Sequence, residues 1–176
     1  MNQTAPHQAA AVPQSASRAS RLSESIWPWL IPIAYLLHVT EEYLAGVALA
    51  PSAQKIRGAN MTAGQFLVIN TFTMALMLLG LWLARRLRFL EWLLVCVGTV
   101  LFINGVFHIK GTIKIAAYNP GLYTGALLFI PLGALTALRF RNRPSPRKYL
   151  LALLVGALIY VVVLIVARSG RKLFEM

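Results

Sequence analysis

The sequence predicts an all-α integral membrane protein, a bundle of about five transmembrane helices, on three observations. Long apolar runs recur, each near the length of a bilayer crossing. Hydrophobic residues make up 58% of the chain and charged residues only 12%, where soluble domains are about half apolar and about a quarter charged. The basic residues collect in the short gaps between the runs. A length of 176 residues suits one domain.

The elements follow in order. Residues 1–24 are polar and rich in Ala, Gln and Ser, with no apolar periodicity, and read as a disordered tail. Residues 25–167 hold the membrane domain. Its first run extends from Ile26 to about Ala50, long enough for the ~20 residues that cross a hydrocarbon core. Pro28 and Pro32 fall near its start, where the first helical N–H groups lack partners anyway. Ala48-Leu49-Ala50 imitates a signal-peptide cleavage site. The run is longer than a signal peptide's apolar core, however, carries His38, Glu41 and Glu42, and places Pro51 directly after the cut, so a retained helix is expected. The second run is Thr62–Ala84, closed by Arg85, Arg86 and Arg88. The third is Phe89–Ile109, followed by Lys110 and Lys114. The fourth is Leu122–Leu138, with Pro131 as a candidate kink. Pro144 and Pro146 make the next connection a turn. The fifth is Tyr149–Ala167, and residues 168–176 form a basic tail. None of the runs alternates as a barrel strand would.

Seventeen Lys and Arg against five Asp and Glu give a net charge of +12, which raises the question of nucleic acid. The cations flank apolar runs instead of lining one helix face, as membrane insertion and anionic headgroups favour. A nucleic-acid partner is therefore not expected; the lipid bilayer is. With five spans, one side of the membrane receives Arg18, Arg21, Arg85, Arg86, Arg88, Arg139, Arg141, Arg143, Arg147 and Lys148. The other receives Lys55, Arg57, Lys110, Lys114, Arg168, Arg171 and Lys172. The excess on the first side predicts a cytoplasmic N-terminus. The lone cysteine, Cys96, lies inside an apolar run and reads as a small buried hydrophobe. Trp27, Trp29, Trp82 and Trp92 sit near run ends, as an aromatic belt would have them. Glu91 is expected to pair with the Arg85–Arg88 cluster, and the Gly121/Gly125 spacing to mark close helix packing.

Chemistry concentrates in His38-Val39-Thr40-Glu41-Glu42. Ionisable groups at bilayer depth cost on the order of a few kcal/mol each and normally face a functional interior. On a helix, residues three and four apart share a face, so His38, Glu41 and Glu42 point to one patch. An imidazole and carboxylates on neighbouring turns suit zinc or iron. The spacing resembles metalloprotease helices in which the first and fifth positions bind metal and the fourth is the base. By that analogy His38 and Glu42 are ligands and Glu41 is the general base. Asn104 and His108 form a second pair four residues apart, near the end of the third run. The first and third helices run the same way, so both groups lie toward the same membrane face. Asn70, early in the second helix, and the loop Tyr118-Asn119-Pro120-Gly121 lie there too. By itself that loop reads as a turn, because Pro followed by Gly is turn punctuation.

His38-Val39-Thr40-Glu41-Glu42 looks like the signature of the HXXEE family of small bacterial membrane proteins, a family also marked by a second histidine and a Tyr-x-Pro-Gly motif. His108 and Tyr118-Asn119-Pro120-Gly121 match these in the expected order, and the resemblance spans roughly residues 30–140. It implies a bacterial inner-membrane protein and supplies neither substrate nor reaction.

The leading functional expectation is a metal-dependent intramembrane enzyme, such as a hydrolase acting on a lipid or other apolar substrate. His38, Glu42 and His108 would bind zinc or iron. Glu41 would be the base, Tyr118 or Asn104 would polarise the substrate, and Asn70 would support the site. Two other classes stay open. One is a small proton-coupled transporter using Glu41 and Glu42. The other is a structural or accessory subunit whose polar network holds the bundle together.

Overall fold

The computed structural model describes residues 14–48 and 62–173. Residues 1–13 of the expected tail, the cations Lys55 and Arg57, and residues 174–176 lie outside the described residues. Five helices make up the described chain, with no strand among the described residues. Helix α1 covers Gln14–Glu42 and runs on into a π-helical stretch at Tyr43–Ala48. Helix α2 is Ala63–Arg86, α3 is Leu90–Ile115, α4 is Leu122–Phe140 and α5 is Pro146–Leu173.

Four of these are long and apolar enough to cross a membrane: α2, α3, α4 and the Pro146–Val166 part of α5. Helix α1 is the fifth member of the all-α bundle. Its apolar stretch is diluted by Pro28, Pro32, His38, Glu41 and Glu42. The helical backbone reaches back to Gln14, so both prolines lie inside the helix and not at its start. Within a membrane bundle, neighbouring groups re-satisfy the carbonyls that a proline releases.

Local chemistry explains the helix ends. Thr62 caps α2 by accepting from the Gln65 N–H at 3.2 Å, while the Gln65 side chain accepts from the Thr62 N–H at 3.0 Å. This reciprocal pair satisfies two otherwise orphaned donors. Proline opens α5, where its missing N–H costs nothing. Within α4, a π-helical stretch at Gly125–Phe129 immediately precedes Ile130 and Pro131. Pro131 has no N–H to give and its ring crowds the preceding turn, which a locally widened helix accommodates.

Helix α3 is the most deeply buried of the four apolar helices. It packs on α4 and α5 and contributes Leu94, Val95, Cys96, Leu101 and His108 to the interior. Its backbone meets α4 with almost nothing between them. A Cβ on Gly105 would lie 2.5 Å from the Gly125 carbonyl oxygen, and one on Gly133 would lie 2.5 Å from that of Gly98. Small residues permit such approach where apolar surface gives no advantage over lipid. Gly125 thus packs as its spacing suggests, whereas Gly121 serves a different purpose described below. The outer faces are apolar: Phe72, Leu76, Leu79 and Trp82 on α2 and Leu150, Leu154, Leu158 and Val162 on α5 are exposed, as a lipid-facing surface requires.

Helix α1 lies against α4 in the opposite sense. Toward one end, the Trp27 indole N–H donates to Thr136 Oγ1 at 3.0 Å, and Arg139 stacks on the Trp27 ring at 5.0 Å. Toward the other end, Glu41 meets the start of α4. Trp29 is covered by Arg85, also at 5.0 Å, so these tryptophans engage the arginines of their own end of the bundle. Glu91 pairs with Arg143 at 3.6 Å. The α3 start and the α4–α5 connection meet there, which sequence distance alone does not reveal.

Candidate metal centre

His38 and Glu42 stand one turn apart on α1, and His108 faces them from α3. His38 is 2% exposed and His108 8%. One carboxylate oxygen, Glu42 Oε1, lies 3.6 Å from His38 Nε2 and 3.4 Å from His108 Nε2. The three residues each offer one ligand atom, all within 4.8 Å of one another. The imidazoles meet edge to face, with centroids 4.8 Å apart and planes at 78°. Phe129 lies against His38 at 4.2 Å.

Those separations are long for hydrogen bonds, which centre at about 2.9–3.0 Å. The two Glu42–imidazole distances, 3.4 and 3.6 Å, come closer to the edges of a coordination polyhedron. Metal–nitrogen and metal–oxygen bonds of about 2.0–2.1 Å at tetrahedral angles put neighbouring ligand atoms about 3.3–3.4 Å apart.

The loop after α3 closes over this group. Asn119-Pro120-Gly121-Leu122 forms a tight turn in which the Leu122 N–H donates to the Asn119 carbonyl at 3.0 Å. Gly121 has φ 87° and ψ 0°. Proline second and a left-handed glycine third are the pattern of a type II turn. A Cβ at Gly121 would lie 2.6 Å from His108 Cε1 and 2.8 Å from His38 Cε1. The glycine therefore roofs both imidazoles. Asn119 is buried, with its amide nitrogen 3.4 Å from His108 Nδ1 and from the His108 carbonyl.

Glu41 takes a different direction from its neighbour. Consecutive helical residues diverge by about 100°, and while Glu42 turns to the histidines, Glu41 turns to the N-terminus of α4. Its Oε1 accepts from the Tyr118 hydroxyl at 2.6 Å and the Tyr123 N–H at 3.0 Å. Its Oε2 accepts from the Thr124 N–H at 2.7 Å and the Thr124 hydroxyl at 2.5 Å. Thr124 Oγ1 lies in turn 2.7 Å from His38 Nδ1. Four donors and the positive end of a helix hold this carboxylate. Glu41 is not in the ligand-atom cluster, and the Tyr118 hydroxyl is committed to it. Tyr118 also stacks on Tyr123 at 5.3 Å.

The two asparagines sit outside the ligand set. Asn70 accepts from the Tyr35 hydroxyl at 2.7 Å and donates to the Phe66 carbonyl at 2.8 Å. Both residues border a cavity of about 300 Å³ between α1 and α2, together with Val39, Tyr43, Leu67 and Met74. Asn104 lies one turn before His108, with its side-chain oxygen buried and without a hydrogen-bond partner. Sequence reasoning did not single out Thr124; it read Asn119 and Gly121 as part of a turn and of the Tyr-x-Pro-Gly motif, and Gly121 also as a packing glycine, without a role at the imidazoles. The visible signal was a Pro-Gly turn with a threonine three residues on, at the start of an apolar run.

The family described as a protein of unknown function with HXXEE motif matches residues 29–136. The chain belongs to that family, and the match contains every residue of the site. Neither a curated protein nor a solved structure matches the chain.

Proposed function

We propose that this member of the HXXEE family is an intramembrane metalloenzyme in which His38, Glu42 and His108 bind a zinc or iron(II) ion and act on a lipid or other apolar substrate. One observation carries the reading. Three donors from two helices converge within 4.8 Å of one another, and the Glu42 carboxylate lies 3.4 and 3.6 Å from the two imidazoles, near the edge of a tetrahedral site. One carboxylate and two imidazoles are donor types that suit a divalent ion. Three protein ligands leave a position open, which distinguishes catalytic from structural zinc sites. Two histidines and a carboxylate also suit non-haem iron.

An ion held there supplies Lewis acidity and lowers the pKa of bound water to about 7. The chain's own residues do the rest. His38, Glu42 and His108 fix the position of that chemistry. Gly121, Asn119 and Phe129 wall it off. Glu41, with both oxygens engaged by the α4 start, anchors the turn that roofs the site; that role suits its surroundings better than general base. Tyr118 completes the anchor. The apolar cavity on the α2 side of α1 offers room for an apolar molecule, although His38, Glu42 and His108 do not line it. In a bacterial inner membrane with the N-terminus in the cytoplasm, the site faces the outer side.

The test is the metal content of detergent-purified protein beside His38→Ala and His108→Ala, by elemental mass spectrometry. Near-stoichiometric zinc or iron is expected in the wild type and trace amounts in both variants. Trace metal in folded, chelator-free wild type would overturn the reading and leave a proton-sharing His–Glu–His cluster, as in a carrier or a packing network.

A further inference from the structure

We infer that Glu41 and Thr124 act together as a positioning relay that keeps a proton on His38 Nδ1 and so presents Nε2 as the nitrogen of His38 that binds the ion. The inference rests on the metal-site reading for its consequence, though not for its geometry.

The argument counts hydrogens. Thr124 Oγ1 lies 2.5 Å from Glu41 Oε2 and 2.7 Å from His38 Nδ1. A hydroxyl has one hydrogen to give and lone pairs to receive with. Both Glu41 oxygens already accept from main-chain N–H groups, at 3.0 Å from Tyr123 and 2.7 Å from Thr124. A backbone N–H can only donate, so each oxygen presents itself as an acceptor. The Thr124 hydrogen therefore goes to Glu41. What remains toward His38 is a lone pair, and the 2.7 Å contact is satisfied only if Nδ1 carries hydrogen. This holds for the neutral ring and for the imidazolium alike, so the assignment does not depend on whether His38 is charged.

The consequence falls on the other nitrogen. His38 Nε2 is the atom that faces Glu42 at 3.6 Å, inside the ligand cluster. With Nδ1 tied to Thr124, the ring can neither rotate nor exchange tautomers without breaking the 2.5 and 2.7 Å contacts. Metal-binding histidines usually give their second N–H to a carboxylate or carbonyl that fixes the ring. Here a threonine hydroxyl stands between the imidazole and the carboxylate, so that one glutamate both anchors the α4 turn and orients a ligand. The two adjacent glutamates thus divide the work: Glu42 binds, and Glu41 orients.

The experiment has two readouts. Long-range proton–nitrogen NMR on histidine-labelled protein, without added metal, reports whether His38 Nδ1 carries hydrogen. Zinc affinity is then measured by competition with a chromophoric chelator for the wild type, Thr124→Val and Thr124→Ser. The expected results are a protonated Nδ1 in the wild type, zinc binding weakened about 10–100-fold in Thr124→Val, and recovery in Thr124→Ser, which keeps the hydroxyl. A bare Nδ1 in the wild type overturns the relay whatever the zinc result. So does a Thr124→Val variant, folded by circular dichroism, that binds zinc as tightly as the wild type. If the wild type binds no zinc, the metal reading fails by itself, and the NMR result still decides the relay.

Discussion

Replacing Gly121 by alanine tests the roof of the site, and its effect can be worked out from two sources. The first is the backbone. Gly121 sits at φ 87°, where a side-chain-bearing residue pays roughly 1–2 kcal/mol. The second is space. The new methyl carbon would lie 2.6 Å from His108 Cε1 and 2.8 Å from His38 Cε1. Ordinary contact begins near 3.4 Å, so the rings must retreat by about 0.8 and 0.6 Å. Overpacking of this kind costs about 1–3 kcal/mol. The two together make a destabilisation of about 2–5 kcal/mol, read by thermal or SDS unfolding in micelles. The consequence for binding is sharper, because ligand distances in a metal site are held within about 0.2 Å. Movements several times larger should lower zinc affinity about 10–100-fold. Gly64→Ala is the control, since its Cβ would meet nothing closer than Thr62 Oγ1 at 4.0 Å. A Gly121→Ala protein as stable as the wild type, with wild-type zinc affinity, would refute the reasoning that the turn closes directly over the imidazoles.

Two further outcomes follow from the packing. Gly105→Ala places a methyl carbon 2.5 Å from the Gly125 carbonyl oxygen; main chain cannot swing aside as a side chain can, so a loss of about 1–3 kcal/mol is expected in SDS unfolding, with the α3–α4 pair prised apart. Tyr118→Phe removes one of four donors to Glu41; a stability loss of up to about 1.5 kcal/mol is expected for this exposed contact, with metal content unchanged, and loss of the metal would return Tyr118 to the site proper.

Much of the fold was legible in the chain because apolar length is a strong signal. The runs that become α2, α3, α4 and α5 stand out between clustered arginines and lysines. The pairing of His38 with Glu42 was legible too, because one turn of helix determines it. The shared depth of His38 and His108 followed from helix direction alone. What escaped depends on which helix lies on which side of α1. Glu41 and Glu42 are neighbours in sequence and diverge around the helix, and only the position of the α4 N-terminus decides that one meets Thr124 while the other meets the histidines. Asn70 shared the right depth but faces Tyr35, on the α2 side of α1. Gly121 was visible as turn chemistry, yet its place above two imidazoles depends on how α3 and α4 converge at Gly105 and Gly125. The second half of the polar N-terminal segment carries no apolar periodicity, and its backbone nevertheless continues α1 from Gln14.

X-ray absorption spectroscopy at the metal edge of the purified, metal-loaded protein tests the central claim most directly. The expected spectrum has nearest neighbours of nitrogen and oxygen at about 2.0–2.1 Å, with the outer-shell scattering of two imidazoles, falling to one imidazole in His108→Ala. A spectrum with no imidazole scattering, or one unchanged by His108→Ala, would contradict a metal centre built from His38, Glu42 and His108.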